Sequence, residues 1–215
     1  MTTGDLISLA WGAATTVALS LASILLGAPL GLAMALVRWA RLPGLRQLVI
    51  VVVSLMRATP AVTSMLLVFF VLPTVGVPVD PVPAALITLS LNTAAFNSEI
   101  WRAALDEFPR DQVDAAKAIG MRASQRLYHI VLPQALHASL PALVSEMTLL
   151  IKASPAMAVV GVVDITRAAV RIGAETYEPL PPFLLAFFFY TAFVFVFVRL
   201  QQMIERRHRR ETFAT

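Results

Sequence analysis

Residues 113–133 read VDAAKAIGMRASQRLYHIVLP, and this charged, helix-forming stretch interrupts a chain that is otherwise strongly apolar. It contains an acidic residue followed by two alanines, then a glycine, and it ends on Leu-Pro. Long apolar segments precede and follow it. The stretch therefore predicts a water-facing insert between segments that are suited to a membrane.

The composition supports a membrane protein. The 215 residues are 58% hydrophobic and 14% charged, whereas soluble domains carry about 25% charged residues. Residues 6–37, 58–79, 81–98 and 179–198 contain no Asp, Glu, Lys or Arg. A spanning helix needs about 20 mostly apolar residues, and a soluble chain of this length has too little surface to bury so many such helices. The predicted fold class is an all-α integral membrane protein.

Five transmembrane helices fit the apolar segments, with Pro- and Gly-rich turns between several of them. The predicted spans are residues 8–38, 47–72, 83–104, 137–163 and 180–202, within a single transmembrane domain that covers 1–215. The insert, taken as residues 109–133, then lies between the third and fourth spans.

The distribution of Lys and Arg predicts the orientation, because cytoplasmic segments carry an excess of both residues. With the N-terminus outside and the C-terminus in the cytoplasm, Arg167 and Arg171 are the basic residues of the outer segments. The basic run 206–210 is expected to contact anionic lipid head groups, in preference to nucleic acid. The basic residues of the inner segments are Arg38, Arg41, Arg46, Arg102, Arg110, Lys117, Arg122, Arg126, Arg199, Arg206, Arg207, Arg209 and Arg210.

The insert is predicted to form two short helices around a glycine turn. Asp111 can cap a first helix that runs to Ala118, and Gly120 supplies the left-handed residue that ends it. Ser124 can cap a second helix that Pro133 ends. Because its alanines make the first helix thin, it can enter a groove on another protein; the alternative is an ordinary surface hairpin.

The spacing of the insert resembles the cytoplasmic "EAA" coupling loop of permease subunits of binding-protein-dependent ABC importers. In that family the loop, with its coupling helix, is the docking surface for a separate ATPase. Asp114 stands where Glu is usual, which keeps the charge on a shorter side chain. The resemblance assigns ATPase docking to Asp114, Ala115, Ala116, Gly120, Met121, Leu132 and Pro133.

Other segments resemble the polar amino acid branch of that family, which includes histidine, glutamine, arginine and opine permeases. They are Met-Arg-Ala-Thr-Pro at 56–60, the third span at 91–102, Ile-Lys-Ala-Ser at 151–154 and residues 159–167. Ala58, Ala153 and the Ser145-Glu146 pair depart from the residues that are frequent in that branch. These departures leave the identity of the solute open.

Ionisable side chains inside a membrane are costly and mark structural pairs or solute paths. Glu99 and Arg102 are three residues apart, so they share a helix face and are expected to form a structural ion pair near the inner end of their span. Arg57, Thr59 and Pro60 are expected to have a structural or gating role, with direct solute contact as the alternative for Arg57.

Four residues are substrate-path candidates: Asn92, Thr93, Glu146 and Lys152. Asn92 and Thr93 lie near the middle of their span, where transporter sites are usual. An amino acid needs an acceptor for its ammonium group and a donor for its carboxylate, roles that Glu146 and Lys152 can fill. The alternative is that each pairs with another helix or with a second permease subunit.

The resemblance implies a transmembrane subunit of an ATP-driven importer, which moves a polar amino acid or derivative across the bacterial inner membrane by alternating access. It implies three kinds of protein partner: ATPase subunits that bind ATP and Mg²⁺, a second permease that is identical or homologous, and an extracytoplasmic solute-binding protein.

The chain itself is predicted to be no enzyme and to bind no cofactor or metal. It has no Gly-x4-Gly-Lys phosphate loop, no catalytic cluster and no metal-ligand spacing. The alternative function is an ATP-independent secondary transporter or channel, which would have no need for the coupling loop.

Overall fold

Helices make up nearly all of the computed structural model, which describes residues 1–212. Near the C-terminus, side chains are described as far as Ile204 and at Arg206. The expected lipid contact of residues 207–210 therefore lies outside the described side chains. No β-strand occurs within residues 1–212, in agreement with the predicted all-α class.

A π-helical turn (Leu127–Val131) and a 3₁₀-helix (Ser154–Val160) complement the α-helices of the described chain. In chain order the α-helices are α1 (Thr3–Trp39), α2 (Leu45–Ala58), α3 (Ala61–Thr74), α4 (Pro81–Asp106), α5 (Arg110–Ala118), α6 (Ala123–Arg126), α7 (Leu132–Ala153), α8 (Ile165–Thr176) and α9 (Leu180–Thr212). The π-turn joins α6 to α7, and the 3₁₀-helix extends α7.

Three helical segments within the described chain are long and apolar enough to cross a membrane: Thr3–Trp39, Ala123–Val160 and Leu180–Ile204. The consecutive helices α2 and α3 satisfy the same criteria when taken together, which gives up to four spans. α4 is a continuous helix of 26 residues but is more polar, because its buried face carries several Ser, Thr and Asn side chains. The count of five spans stays a prediction.

The predicted span at 47–72 is divided into two helices that are bent by 119°. Thr59 is extended, with φ −102° and ψ 132°, since the residue before a proline is driven out of the helical region. Pro60 then precedes the first residue of α3. Pro60 ends α2 and does not merely kink it, a break that the span as predicted did not contain. The span at 47–72 itself stays a prediction.

α1 packs closely along α4. Gly27 and Gly31 lie in this contact, and a Cβ atom built on Gly27 would come within 2.7 Å of both the Ser90 carbonyl oxygen and the Thr93 Cβ. A Cβ on Gly31 would meet the carbonyl oxygen of Ala94 at 2.8 Å. Only glycine allows the two backbones to approach this closely, which is how small residues bring membrane helices together.

Near the N-terminal end of α1, hydrogen bonds around Asp164, the capping residue of α8, join α1, α8 and α9. Its Oδ1 accepts a hydrogen bond from the Arg167 backbone N–H at 2.9 Å, and its Oδ2 accepts one from the Tyr190 hydroxyl of α9 at 3.4 Å. The Ile165 backbone N–H donates to Thr16 Oγ1 of α1 at 3.2 Å. α8 was not predicted, although Asp164 followed by apolar residues at 168, 169 and 172 is a recognisable helix start.

The α1–α4 contact gives a first prediction. Gly27→Ala should lower the melting temperature of the purified protein, because overpacking costs about 1–3 kcal/mol and outweighs the roughly 1 kcal/mol gained in helix propensity. Gly4→Ala is the matched control in the same helix, since its Cβ would meet only Thr2 Oγ1 at an ordinary 3.6 Å. Equal melting temperatures of the two variants in detergent would contradict the close approach.

Candidate functional site

The insert predicted to couple the chain to a partner forms a helix with a sharply defined end. After α5, Gly120 adopts φ +82°. Its backbone N–H donates to the Lys117 carbonyl at 2.9 Å, and that of Met121 donates to the Ala116 carbonyl at 3.1 Å. This pair of bonds is the Schellman motif, so the predicted role of Gly120 as the helix stop is confirmed.

α5 is fixed against the ends of the long helices. Ala116 is 3% exposed, and Val113 packs on a buried apolar cluster drawn from α1, α4, the π-turn and α7. The Gln134 side-chain amide of α7 donates to Gln112 Oε1 of α5 at 2.8 Å. Because α5 is held by both apolar contact and a hydrogen bond, a force applied to it reaches α1, α4 and α7.

Two details of the insert were predicted wrongly. The residue before α5 is Pro109, and Asp111 lies in the first turn without capping it. Pro133 does not end the second helix: α6, the π-turn and α7 run on continuously from Ala123. Proline has no N–H to donate, and its ring would clash with the preceding turn of a regular helix. The π-turn just before Pro133 is wider than a regular turn, so it accommodates both effects without ending the helix.

The solvent-exposed face of the insert carries both charged and apolar side chains. Asp114, Ala115, Gly120 and Pro133 are exposed, and Met121 and Leu132 are half-buried. Two further side chains stand out that the sequence analysis missed, Ile119 at 79% and Tyr128 at 66% exposed. Ile119 directly precedes Gly120, whereas Tyr128 lies in the π-turn. An apolar residue beside a helix-ending glycine was the signal available in the sequence for Ile119.

Asp114 is ionised at neutral pH. Lys117 Nζ donates to Asp114 Oδ1 at 2.7 Å, and this bond, reinforced by the nearby Arg110 and Arg126, lowers the pKa of the Asp114 carboxyl below its usual range. Since both partners are exposed, the pair contributes little to stability. It presents a fixed pair of opposite charges beside the Gly120 turn.

A cluster of charged side chains lies where α1, α2 and α4 meet. Glu99 accepts hydrogen bonds from Arg38 of α1 and from Arg102 Nε at 2.9 Å. Arg57 of α2 approaches Glu99 Oε1 at 3.8 Å. The predicted ion pair of Glu99 and Arg102 is present, and the structure enlarges it into a network that ties three helices together through one carboxylate.

The predicted structural residues around the proline break have distinct contacts. The Arg57 guanidinium lies 5.6 Å from the centroid of the Phe96 ring, a cation–π arrangement. The Thr59 hydroxyl donates to the Leu55 carbonyl at 2.7 Å, which also accepts the Thr59 backbone N–H at 3.1 Å. With Pro60 ending the helix, these contacts hold the bend that carries Arg57 towards α4.

The substrate-path candidates do not form one cluster. Glu146 is 5% exposed and makes no hydrogen bond or ion pair with any residue that the structure describes. Lys152 lies six residues later on α7 and is exposed. The two therefore point in different directions, as their spacing suggested.

Asn92 and Thr93 are both buried on α4. Thr93 takes part in the contact with α1, where its side chain lies against Gly27. Its hydroxyl has no hydrogen-bond partner among the described residues, and neither has the side-chain amide of Asn97 one turn later. In this arrangement Thr93 belongs to a polar helix–helix seam, and its place in a solute path stays a prediction.

A comparison with known protein families agrees with these structural features, which are apolar helices, an exposed insert and buried charges. The family described as "Binding-protein-dependent transport system inner membrane component" matches residues 27–210. The chain belongs to this family. Family members are the membrane components of their transport systems, so the chain is a multi-pass inner membrane subunit and the alternative of an unrelated secondary transporter or channel is not favoured.

Relatives and a solved structure agree with this assignment. The chain is 35% identical over 193 residues to the L-cystine transport system permease protein TcyB of Bacillus subtilis (strain 168), covering 89% of this chain and 82% of the relative. It is 32% identical over 197 residues to the arginine transport system permease protein ArtQ of the same organism, covering 91% and 90%. A crystal structure of an amino acid ABC transporter with histidines matches with a TM-score of 0.86 at 26% identity, covering 96% of this chain and 100% of that chain.

The charge cluster yields a second prediction. Glu99→Gln should lower the melting temperature markedly, because it leaves three arginines around a neutral amide, and hydrogen bonds to charged groups contribute about 1.5–3 kcal/mol. Asp106→Asn is the matched control: Asp106 bonds Arg102 at 2.8 Å but is exposed, so its loss should cost less than about 1 kcal/mol. Thermal unfolding of both variants in detergent measures the difference, and an equal effect would argue against a network centred on Glu99.

Proposed function

We propose that this chain is the permease subunit of an ATP-driven importer of polar amino acids or amino acid derivatives. The observation that carries the proposal is the insert at 109–133, an exposed helical element that is packed firmly on the ends of the long helices of a membrane component. The amino acid class rests on relatives named for L-cystine and arginine transport and on the solved amino acid transporter.

The insert is proposed to dock a separate ATPase. Its exposed apolar residues are Ile119, which directly precedes Gly120, and Tyr128 in the π-turn. The exposed Asp114–Lys117 pair lies in α5. Protein interfaces combine apolar anchor residues with a polar rim, and the insert exposes residues of both kinds. In this proposal ATP and Mg²⁺ bind to the ATPase, and the membrane subunit binds neither.

The orientation in the membrane follows from this docking. The ATPase acts from the cytoplasm, so α5, the turn 40–44 and the end of α9 face inwards, and α8 faces outwards. A second permease subunit, identical or homologous, completes the membrane part, and an extracytoplasmic solute-binding protein delivers the solute. Closure of the ATPase dimer would push on α5 and rock the helices between two states, which is alternating access.

Glu146 is proposed to bind the cationic group of the solute. An ionisable side chain that is buried in a membrane helix without a partner is costly, and a solute ammonium or guanidinium group would supply the missing charge. Lys152 is exposed and stays a candidate for the solute carboxylate or for a contact with the second subunit. Asn92 and Thr93 remain candidates for the same path at the level of α4.

A third prediction tests docking. Ile119→Asp should weaken co-purification of the ATPase subunit of the same transport system about tenfold or more, because loss of a central apolar anchor costs about 2 kcal/mol or more. Tyr177→Asn is the control: Tyr177 is 92% exposed with φ +56°, a conformation that Asn tolerates, and it lies after α8 on the opposite side. Undiminished ATPase binding by the Ile119 variant would remove the support for this docking surface.

A fourth prediction tests solute recognition. Glu146→Gln should lower the uptake of radiolabelled amino acids into membrane vesicles about tenfold or more, because a charge-assisted hydrogen bond is replaced by a neutral one. A panel of arginine, histidine, glutamine and cystine serves as the probe. ATPase co-purification should be unchanged, which separates a defect in recognition from a defect in assembly. Wild-type uptake of the whole panel by the variant would exclude Glu146 from the solute site.

A further inference from the structure

A basic cavity of about 670 Å³ lies between the turn after α1, the end of α4 and the insert helix α5. Its apolar lining comes from Trp39, Leu105, Phe108, Val113 and Val131. Two acidic residues, Asp106 and Asp114, also line it. Against these stand six basic residues, which are Arg38, Arg41, Arg46, Arg102, Arg110 and Lys117.

Ion pairs account for only part of this positive charge. Arg102 bonds Asp106 and Glu99, and Lys117 bonds Asp114. The side chains of Arg41, Arg46 and Arg110 make no hydrogen bond or ion pair with any described residue. In addition, Nε of Arg38 is buried without an acceptor. The cavity therefore holds more donors and more positive charge than its own acidic groups can satisfy.

The backbone keeps the unpaired arginines together at the cavity. Arg41 and Gly44 both adopt left-handed conformations, with φ +54° and φ +76°, so the chain reverses tightly between α1 and α2. Arg41 lies within this reversal and Arg46 lies in the first turn of α2. Both side chains are exposed and line the same cavity, so an anion bound between them would neutralise charges of the same sign.

We propose that this cavity binds the phosphate of an anionic phospholipid. Arginine side chains match phosphate oxygens with paired hydrogen bonds, and basic pockets between membrane helices on the cytoplasmic side suit anionic head groups. A lipid is favoured over free phosphate because large apolar side chains are exposed near the arginines. Trp39 lines the cavity, and Leu42 and Leu45, in the same turn and at the start of α2, are also exposed. They can contact the acyl chains while the arginines hold the phosphate.

The residues that line the cavity belong to two parts of the molecule, the long helices and the insert, so a ligand bound there would connect the two parts. Arg38 and Arg102 belong to the long helices α1 and α4, and Arg110 and Lys117 belong to α5, the helix proposed to receive the push of the ATPase. A phosphate between them draws α5 onto the ends of α1 and α4. Anionic lipid therefore tightens the connection between the ATPase and the membrane helices. This inference relies on the proposed function for the role of α5 and for placing this face in the cytoplasm.

The test measures retained lipid on the purified transporter, with its ATPase bound, by native mass spectrometry. Phosphatidylglycerol and phosphatidylcholine are titrated separately. The wild type should retain phosphatidylglycerol in preference, and Arg46→Gln and Arg110→Gln should each weaken that retention about tenfold, as expected for one charge-assisted contact. Arg171→Gln is the matched control, since this arginine is exposed on α8 outside the cavity and should leave retention unchanged.

Several results would overturn the proposal. Equal retention by the wild type and by both cavity variants would place the lipid elsewhere. Displacement of the lipid by inorganic phosphate would make this a site for free anions. Loss of the lipid whenever the ATPase is bound would make the cavity a contact for acidic groups of that protein. These outcomes are separable from failure of the proposed function: a transporter that imports amino acids but retains no lipid overturns the lipid site alone.

Discussion

The close approach of α1 and α4 determines where every other functional group of this protein lies. Gly27 and Gly31 let the two backbones meet without intervening side chains, and in a membrane this contact gains from packing and not from expulsion of water. Because the helices are in contact along their length, the C-terminal end of α1 brings Arg38 to Glu99 of α4. A larger residue at either glycine would separate them.

The position of the insert depends in turn on this contact between α1 and α4. The carboxylate of Glu99 gathers arginines from α1, α2 and α4, and the apolar cluster beside it receives Val113 of α5. α5 therefore stands on a platform made by three membrane helices. A short surface helix of nine residues would be marginal alone, and tertiary packing holds it in place, as the proposed docking of an ATPase requires.

Most of the architecture could be predicted from the sequence because the signals were local. Apolar runs, the helix stop at Gly120 and the three-residue spacing of Glu99 and Arg102 are each read within a few positions. The errors arose where the outcome depended on distant contacts or on competing local rules. The bend at Pro60, the π-turn before Pro133 and the N-terminal position of Asp111 in α5 all required knowing which turn geometry the surrounding helices select. The contacts of Glu99 with Arg38 and Arg57 join residues far apart in the chain, so no spacing could reveal them.

A protein that alternates between two states needs internal contacts that can break in one state and form again in the other. The buried polar groups of this chain meet that requirement. A transporter core that was wholly apolar and tightly interdigitated would favour a single packing. In this chain the α1–α4 seam carries hydroxyl and amide groups without partners among the described residues, including Thr93 and Asn97. Glu146 is buried, and no described side chain supplies it with a counter-charge. Each unsatisfied group raises the energy of the present arrangement. A second arrangement in which water, solute or another helix satisfies these groups would lie closer in energy, so the same residues that weaken this packing make a rocking motion between states accessible.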